Sequence, residues 1–285
     1  AGIAYRLWEE AGNGGLPPFD PPEILESDLA PLLLDCARWG ENDPAKLRWL
    51  DLPPAAAVQQ ARKLLMSVDA LDTHGHITSH GAMLANLPLP PNLAHMVAVA
   101  AQSGQAEDAA MLAVLLQERG LGGQGEDIET RFERFVRERG AKADAARMLA
   151  QRIARLCGAS GDKQTLSIGG LIGSAFPDRI AKRRDAKGEK WISAMGRGLQ
   201  LDAASLLARA EWLAVADVQG AASGARILSA AALTEAEIVD RFGHRIESKQ
   251  ILTYDKSTDR VDARVQQRLG AIVLSEGRLE KPDPQ

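Results

Sequence analysis

Asp72-Thr73-His74-Gly75-His76 turns the chain, and Ile77-Thr78 leaves that turn as a short extended segment. Upstream, Ala57, Val58, Ala61, Leu64, Leu65, Val68 and Leu71 fall on one stripe at helical spacing, which predicts an amphipathic helix over about 55–71. Before it, residues 28–39 fit another helix, with Asp28 as N-cap and Pro31 tolerated in the first turn. Downstream, a helix is expected from about His80 to Asn86. Helix, helix, short strand pair is the order of a winged helix-turn-helix.

Proline-rich segments bound this unit. Leu16-Pro17-Pro18-Phe19-Asp20-Pro21-Pro22 forbids helix and separates it from a strand-like opening, Ile3 to Trp8. Leu87-Pro88-Leu89-Pro90-Pro91 opens an all-helical region. Helices are expected there from Pro91 to about Ser103 and from Glu107 to Arg119, followed by a break at Gly120-Leu121-Gly122-Gly123-Gln124-Gly125. A further helix carries Ile128, Phe132, Phe135 and Val136. The last, from about Asp144, turns Ala145, Leu149, Ile153 and Leu156 inward and frees Arg147, Arg152 and Arg155.

After Gly158-Ala159-Ser160-Gly161 the texture changes. One helix, about Ile168 to Arg184, precedes β-rich runs near 190–201, 211–218, 225–232, 246–254, 260–265 and 270–275. Thr234 and Glu237 form a capping box for an inserted helix ending near Phe242. Many short strands with one inserted helix suggest an oligonucleotide-binding type of β-barrel. The fold class is thus α+β multidomain: winged helix, helical bundle, then OB-like barrel.

The 285 residues allow two or three domains. Apolar residues at 45% and charged residues at 25% are the balance of an ordinary globular protein. No apolar run reaches membrane-span length, no signal peptide is visible, and the reading is a soluble, cytoplasmic protein with no membrane partner. With only Cys36 and Cys157, neither a disulfide framework nor a four-cysteine zinc site can form. The chain opens on Ala1 without Met, which suggests an excerpt from a longer protein.

The net charge of −4 conceals a segregation, since residues 119–200 hold 17 basic and 10 acidic side chains while residues 1–60 hold 4 and 10. Only the middle of the chain favours a polyanion. In Phe176-Pro177-Asp178-Arg179-Ile180-Ala181-Lys182-Arg183-Arg184, a helix would place Arg179, Lys182 and Arg183 on one cationic face. Met195-Gly196-Arg197-Gly198 adds a further cation in a turn. A solubilising surface helix and an ordinary turn are the bland alternative.

Other chemistry is thin. There is no Gly-x-x-x-x-Gly-Lys-Ser/Thr loop, no Asp-Glu-x-His box and no Gly-x-Ser-x-Gly elbow, so neither a self-sufficient ATPase nor a serine hydrolase is indicated. His74, His76 and His80 beside Asp72 suit turn and cap roles better than a zinc site. His95 and His244 show no partner in sequence, and both cysteines read as ordinary thiols.

The run Gly75 to Met96 resembles the helicase-associated signature that follows the motor in DEAH/RHA-type helicases. Ala4-Tyr5-Arg6-Leu7-Trp8, then Pro22-Glu23-Ile24-Leu25 and Asp28-Leu29, resembles the end of a second motor domain and its exit into a winged helix. Ala175 to Arg184, Gly196-Arg197-Gly198 and Trp212 to Asp217 are similar to the bacterial HrpB family of ATP-dependent helicases. That resemblance implies a parent that hydrolyses ATP with Mg between two RecA-like domains and moves along single-stranded RNA. It further implies a remnant of the second RecA-like domain and linker at 1–22, a winged helix at 23–87, a helical ratchet at 88–157 and an OB-like domain at 158–285. Neither cofactor nor ATPase activity is expected of this stretch alone. Its partners would be single-stranded RNA, or DNA, and the motor domains of the same chain. The candidate strand contacts are Arg179, Lys182, Arg183, Arg184 and Arg197, with Arg147, Arg152 and Arg155 behind them, all acting on phosphates without base preference. The rivals are a winged-helix DNA-binding regulator, a non-catalytic protein-interaction module, and a metal hydrolase built on the histidines. The helix at 55–71 offers only Arg62 and Lys63 against nearby Asp69 and Asp72, a poor reader of a major groove.

Overall fold

A computed structural model describes residues 3, 5, 7–15, 19–158, 166–220, 223–255 and 260–278. The first unit packs α1 (Ala30–Trp39) on α2 (Ala55–Ser67) and adds the short α3 (Ser79–Leu84). The N-cap of α1 is Leu29 rather than the expected Asp28, which stands one residue further out and accepts the Ala30 N–H on its carboxylate at 2.9 Å. Every residue of the α2 stripe from Ala57 to Leu71 joins one core with Leu33, Leu34 and Leu84. Asp69, in the left-handed region at φ 54°, breaks the helix, and Leu71 then pairs with Ile77 across the turn. Asp72 organises that turn by accepting the backbone N–H groups of His74 and His76, each at 2.8 Å. Thr78 caps α3 through Gly81 N–H at 2.9 Å. Gly81 lies so close to the strand that a Cβ there would stand 2.1 Å from the Ala70 carbonyl oxygen.

Four further helices follow: α4 (Pro91–Gln102), α5 (Ala106–Gln117), α6 (Ile128–Arg137) and α7 (Ala141–Cys157). Ala94 and Ala98 of α4 belong to the first core, while Leu93, Met96 and Val97 belong to the second, so α4 is shared between them. The inward face of α7 differs from the expected one. Ala143, Ala146, Ala150 and Ile153 are buried, whereas Ala145, Leu149 and Leu156 are exposed. The helix packs on α5, whose Ala109, Ala110 and Ala113 face the same core and suit the small Ala143, Ala146 and Ala150 opposite them.

The segment expected as one helix to Arg184 is divided. The helix α8 (Ile168–Ala175) stops at Phe176, a 3-10 turn covers Pro177–Arg179, and β1 (Ile180–Arg183) begins. Pro177 has no N–H to continue the helix. The next two residues then alternate, with Ile180 facing the helical core and Ala181 the interior of a barrel. The remaining strands are β2 (Lys190–Ser193), β3 (Gly198–Gln200), β4 (Trp212–Gln219) and β5 (Ser223–Leu233). They close with β1 in the order β1-β2-β3-β5-β4, all pairs antiparallel except β3 with β5.

The capping box forms as expected, with Glu237 N–H on Thr234 Oγ1 and Thr234 N–H on the Glu237 carboxylate, and opens α9 (Glu235–Phe242). The last strands, β6 (Ile246–Asp255), β7 (Arg260–Leu269) and β8 (Ile272–Arg278), do not enter the barrel. They form a separate antiparallel sheet in the order β6-β7-β8. A five-strand barrel already closed has no edge left for them. Their root is tied back by Ala271 N–H to the Ala194 carbonyl at 2.7 Å. The described residues of the strand expected at Ile3–Trp8, namely Ile3, Tyr5, Leu7 and Trp8, are not in a strand; Ala4 and Arg6 lie outside the described residues. Among the described residues no helix is long and apolar enough to cross a membrane.

Candidate nucleic-acid interface

The eight candidate cations do not share one face, because β1 is a strand and each side chain takes the surroundings its register dictates. Arg179 is spent largely inside the protein. Its Nη1 donates to the Ala216 carbonyl at 2.6 Å, and its guanidinium lies 4.7 Å from the Phe176 ring centroid. Burial holds its pKa below the ordinary arginine value, while Asp217, Asp28 and Asp178 act in the opposite sense. Lys182 sits 4.9 Å from the Trp212 ring centroid and 3.8 Å from Glu211. Arg183 donates to the carbonyls of Ala208 and Arg209 at 3.2 and 3.3 Å. Arg197 donates to the Gly220 carbonyl at 2.9 Å and so links the β2–β3 turn to the β4–β5 turn. Arg147 donates to the Phe135 carbonyl and to Asp144. The expected cationic helix face of Arg179, Lys182 and Arg183 is therefore not present.

Three candidates keep exposed, uncommitted side chains among the described residues: Arg152 and Arg155 on α7, and Arg184 just past β1. Arg155 borders a shallow cleft with Glu107, Gln151 and Gly158. Of the eight, Arg179 and Arg197 line a common cavity, a cleft of about 690 Å³ between α2 and the barrel. Its other cation is Lys63, from α2. Sequence alone gives Lys63 no role, because α2 is a poor partner for a duplex groove and no local signal places it opposite the barrel.

A second unforeseen residue is Arg245. Its Nη2 donates to the Ser67 carbonyl and its Nη1 lies 3.6 Å from Asp178, joining the turn before β6 to the first unit across 178 positions of sequence. Nearby, His80 Nε2 and His95 Nδ1 are 2.8 Å apart with their rings edge to face. His95 thus has the partner that sequence could not show. His74 and His76 remain exposed on the turn, with His76 3.5 Å from Asp72. Among the described residues no three His, Cys, Asp or Glu side chains gather into a metal-holding group. Burial raises the pKa of both the Cys36 and Cys157 thiols, as befits ordinary packing residues.

Comparison with known proteins sets this arrangement in context. Over 264 residues, 92% of its length, the chain is 34% identical to the ATP-dependent RNA helicase HrpB of Escherichia coli. The crystal structure of the E. coli DExH-box NTPase HrpB superposes on 96% of the chain with a TM-score of 0.81 at 30% identity. The chain matches HrpB along nearly its whole length. It spans about a third of those relatives, 31% of the HrpB sequence and 33% of the crystallised chain. A shorter match, 34% identical over 103 residues, joins 36% of the chain to 14% of the probable ATP-dependent RNA helicase DHR2 of Saccharomyces cerevisiae. No protein-family model matches the chain.

Proposed function

We propose that this chain is the accessory, non-motor portion of an ATP-dependent RNA helicase. In this reading it forms part of the channel for a single strand and couples that channel to the motor. The observation that carries the reading is the match to HrpB along almost the whole chain, in sequence and in fold. We assign residues 23–87 to a winged helix, 88–157 to a helical ratchet and 158–285 to an OB-like domain, and residues 1–22 to a remnant of the second RecA-like domain and its linker. The closed five-strand barrel has the strand number of an OB-fold, a fold that binds single strands in many settings. The working strand is RNA, or DNA in its place, held by its phosphates. The chain has neither a phosphate loop nor an Asp-Glu-x-His box, so its residues do not fit ATP or its Mg, and both belong to the motor domains of the whole protein. We place the whole protein in the cytoplasm.

Arg152, Arg155 and Arg184 are the cations to test, because reversing Arg179 or Arg183 would also break bonds inside the barrel. Arg152→Glu, Arg155→Glu and Arg184→Glu together are expected to weaken binding of a single-stranded oligouridylate at least about tenfold at 0.1 M salt. The log–log salt slope should fall by about 0.7 for each phosphate that is no longer neutralised. Fluorescence anisotropy across a salt series measures both quantities. Unchanged affinity and slope would remove these residues from the strand path.

A further inference from the structure

The cleft between α2 and the barrel has a composition that neither a plain surface groove nor a structural void requires. We propose that it seats one nucleotide of a bound single strand, with the base directed inward and the flanking phosphates at Lys63 and Arg197. This rests on the reading of the chain as a strand-binding region and adds a base-holding site to contacts otherwise made with phosphates.

Four features support it. The volume, about 690 Å³, lies within the usual range of small-molecule sites, roughly 300–1,000 Å³. Much of the lining is apolar: Leu64 from α2 and Val218 of the barrel border the cleft, with Leu199 and Val215 of the barrel's interior core beneath it. Arg179 lies against Phe176, and such a guanidinium–aromatic pair is the kind of plane on which bases stack. Met195, 71% exposed at the mouth, adds a polarizable thioether.

The charge is complementary to a nucleotide. Lys63, Arg179 and Arg197 come from separate parts of the fold, against the single carboxylate of Asp178, which already faces Arg245 at 3.6 Å. Lys63 is exposed and has no ion pair or hydrogen bond among the described residues. A peptide occupant is less suited, because β3 is paired on both sides and β4 is paired on both sides, leaving no strand edge to extend here. A base needs no such edge; it needs a plane, an apolar wall and a cation.

Photo-crosslinking of the 285-residue chain to an oligouridylate carrying 4-thiouridine, with peptide mapping by mass spectrometry, tests the proposal. The expected crosslinks fall on the peptides holding Phe176 and Met195. Lys63→Glu and Met195→Glu, both surface changes, should each reduce crosslinking there and weaken strand affinity about three- to tenfold. Lys46→Glu, outside the cleft, should leave both unchanged. Far-ultraviolet circular dichroism confirms that each variant is folded. If the strand binds with native affinity but crosslinks only elsewhere, such as on α7, the cleft proposal is wrong while the strand-binding reading stands. If free uridine monophosphate abolishes the labelling at equal nucleotide concentration, the cleft serves free nucleotides and the proposal again fails. If no strand binds at any salt concentration, both readings fall.

Discussion

Trp191→Ala is expected to lower the unfolding free energy of the barrel by about 3–5 kcal/mol. Trp191 lies on β2, 1% exposed, and fills the barrel interior with Leu199, Leu213, Val215 and Ile227. Its neighbours include Ala181, Ala225 and Ala230, so small side chains on surrounding strands have made room for one indole and cannot expand to replace it. The indole N–H donates to the Gly188 carbonyl at 2.8 Å, and removing it strands that acceptor in a buried setting. Gly188 is itself fixed: its φ is 73°, and a Cβ on it would stand 2.1 Å from the Ala208 carbonyl oxygen, so the turn cannot slide inward to close the cavity. Urea unfolding followed by circular dichroism should show a lower midpoint at an unchanged slope. Trp191→Phe, which keeps much of the ring volume, should cost less than half as much. Equal midpoints for wild type and Trp191→Ala would mean that the barrel interior is not packed around this side chain.

The same physics explains what is legible in the sequence. The α2 stripe, the Asp72 turn and the Thr234–Glu237 capping box are local patterns, with their energetics contained within a few residues, and each forms where its pattern predicts. The inward face of α7 escapes this kind of reading because Leu149 and Leu156 are the more apolar choice, whereas the alanines of α5 select the smaller stripe. No single-helix criterion contains that information, since it depends on the distance between two helices. The stretch from Phe176 to Arg184 fits a helix by charge spacing, yet Pro177 and the pairing of β1 with β2 and β4 make it a strand. That change of period scatters the cations: it turns Arg183 to the carbonyls of Ala208 and Arg209, and Lys182 to Trp212.

The candidate site is legible only in part for the same reason. Charge singles out Arg179 and Arg197, and they do line one cleft, but the α2 wall with Lys63 and Leu64 comes from more than a hundred residues upstream. Arg245, which joins Ser67 to the turn before β6, belongs to the same class of long-range contact. Cations that hold carbonyl oxygens inside the fold and cations that await a polyanion look alike in sequence. What separates them is whether backbone acceptors surround the side chain, and here that distinction leaves Arg152, Arg155, Arg184 and Lys63 as the exposed group.

Acid should destabilise the junction between α3 and α4 before it reaches the ordinary carboxylate range. Burial, followed by the neighbouring His80, pushes His95 down from 6.5 to about 4, with Arg245 acting in the same direction and Asp69 against it. His80 is lowered too, chiefly by burial. Both imidazoles are therefore neutral in the folded protein at pH values where the unfolded chain already takes up protons. Below about 6.5 the unfolded state binds more protons than the folded one, and stability falls as the pH drops from there towards about 4; above 6.5 these groups contribute no slope. The loss across that window should be of the order of a few kcal/mol. Lowered carboxylates such as Asp72, Glu41 and Glu237 act in a more acidic window, below their ordinary values of 3.8 to 4.5, so the histidine contribution is separable. Urea midpoints measured at about pH 7.5, 6.5, 5.5 and 5.0 should decline through the series, and His95→Gln should flatten the decline because glutamine cannot take up the proton. Parallel declines in the two proteins would show that another group carries the acid sensitivity and that the His80–His95 contact is not what the proton breaks.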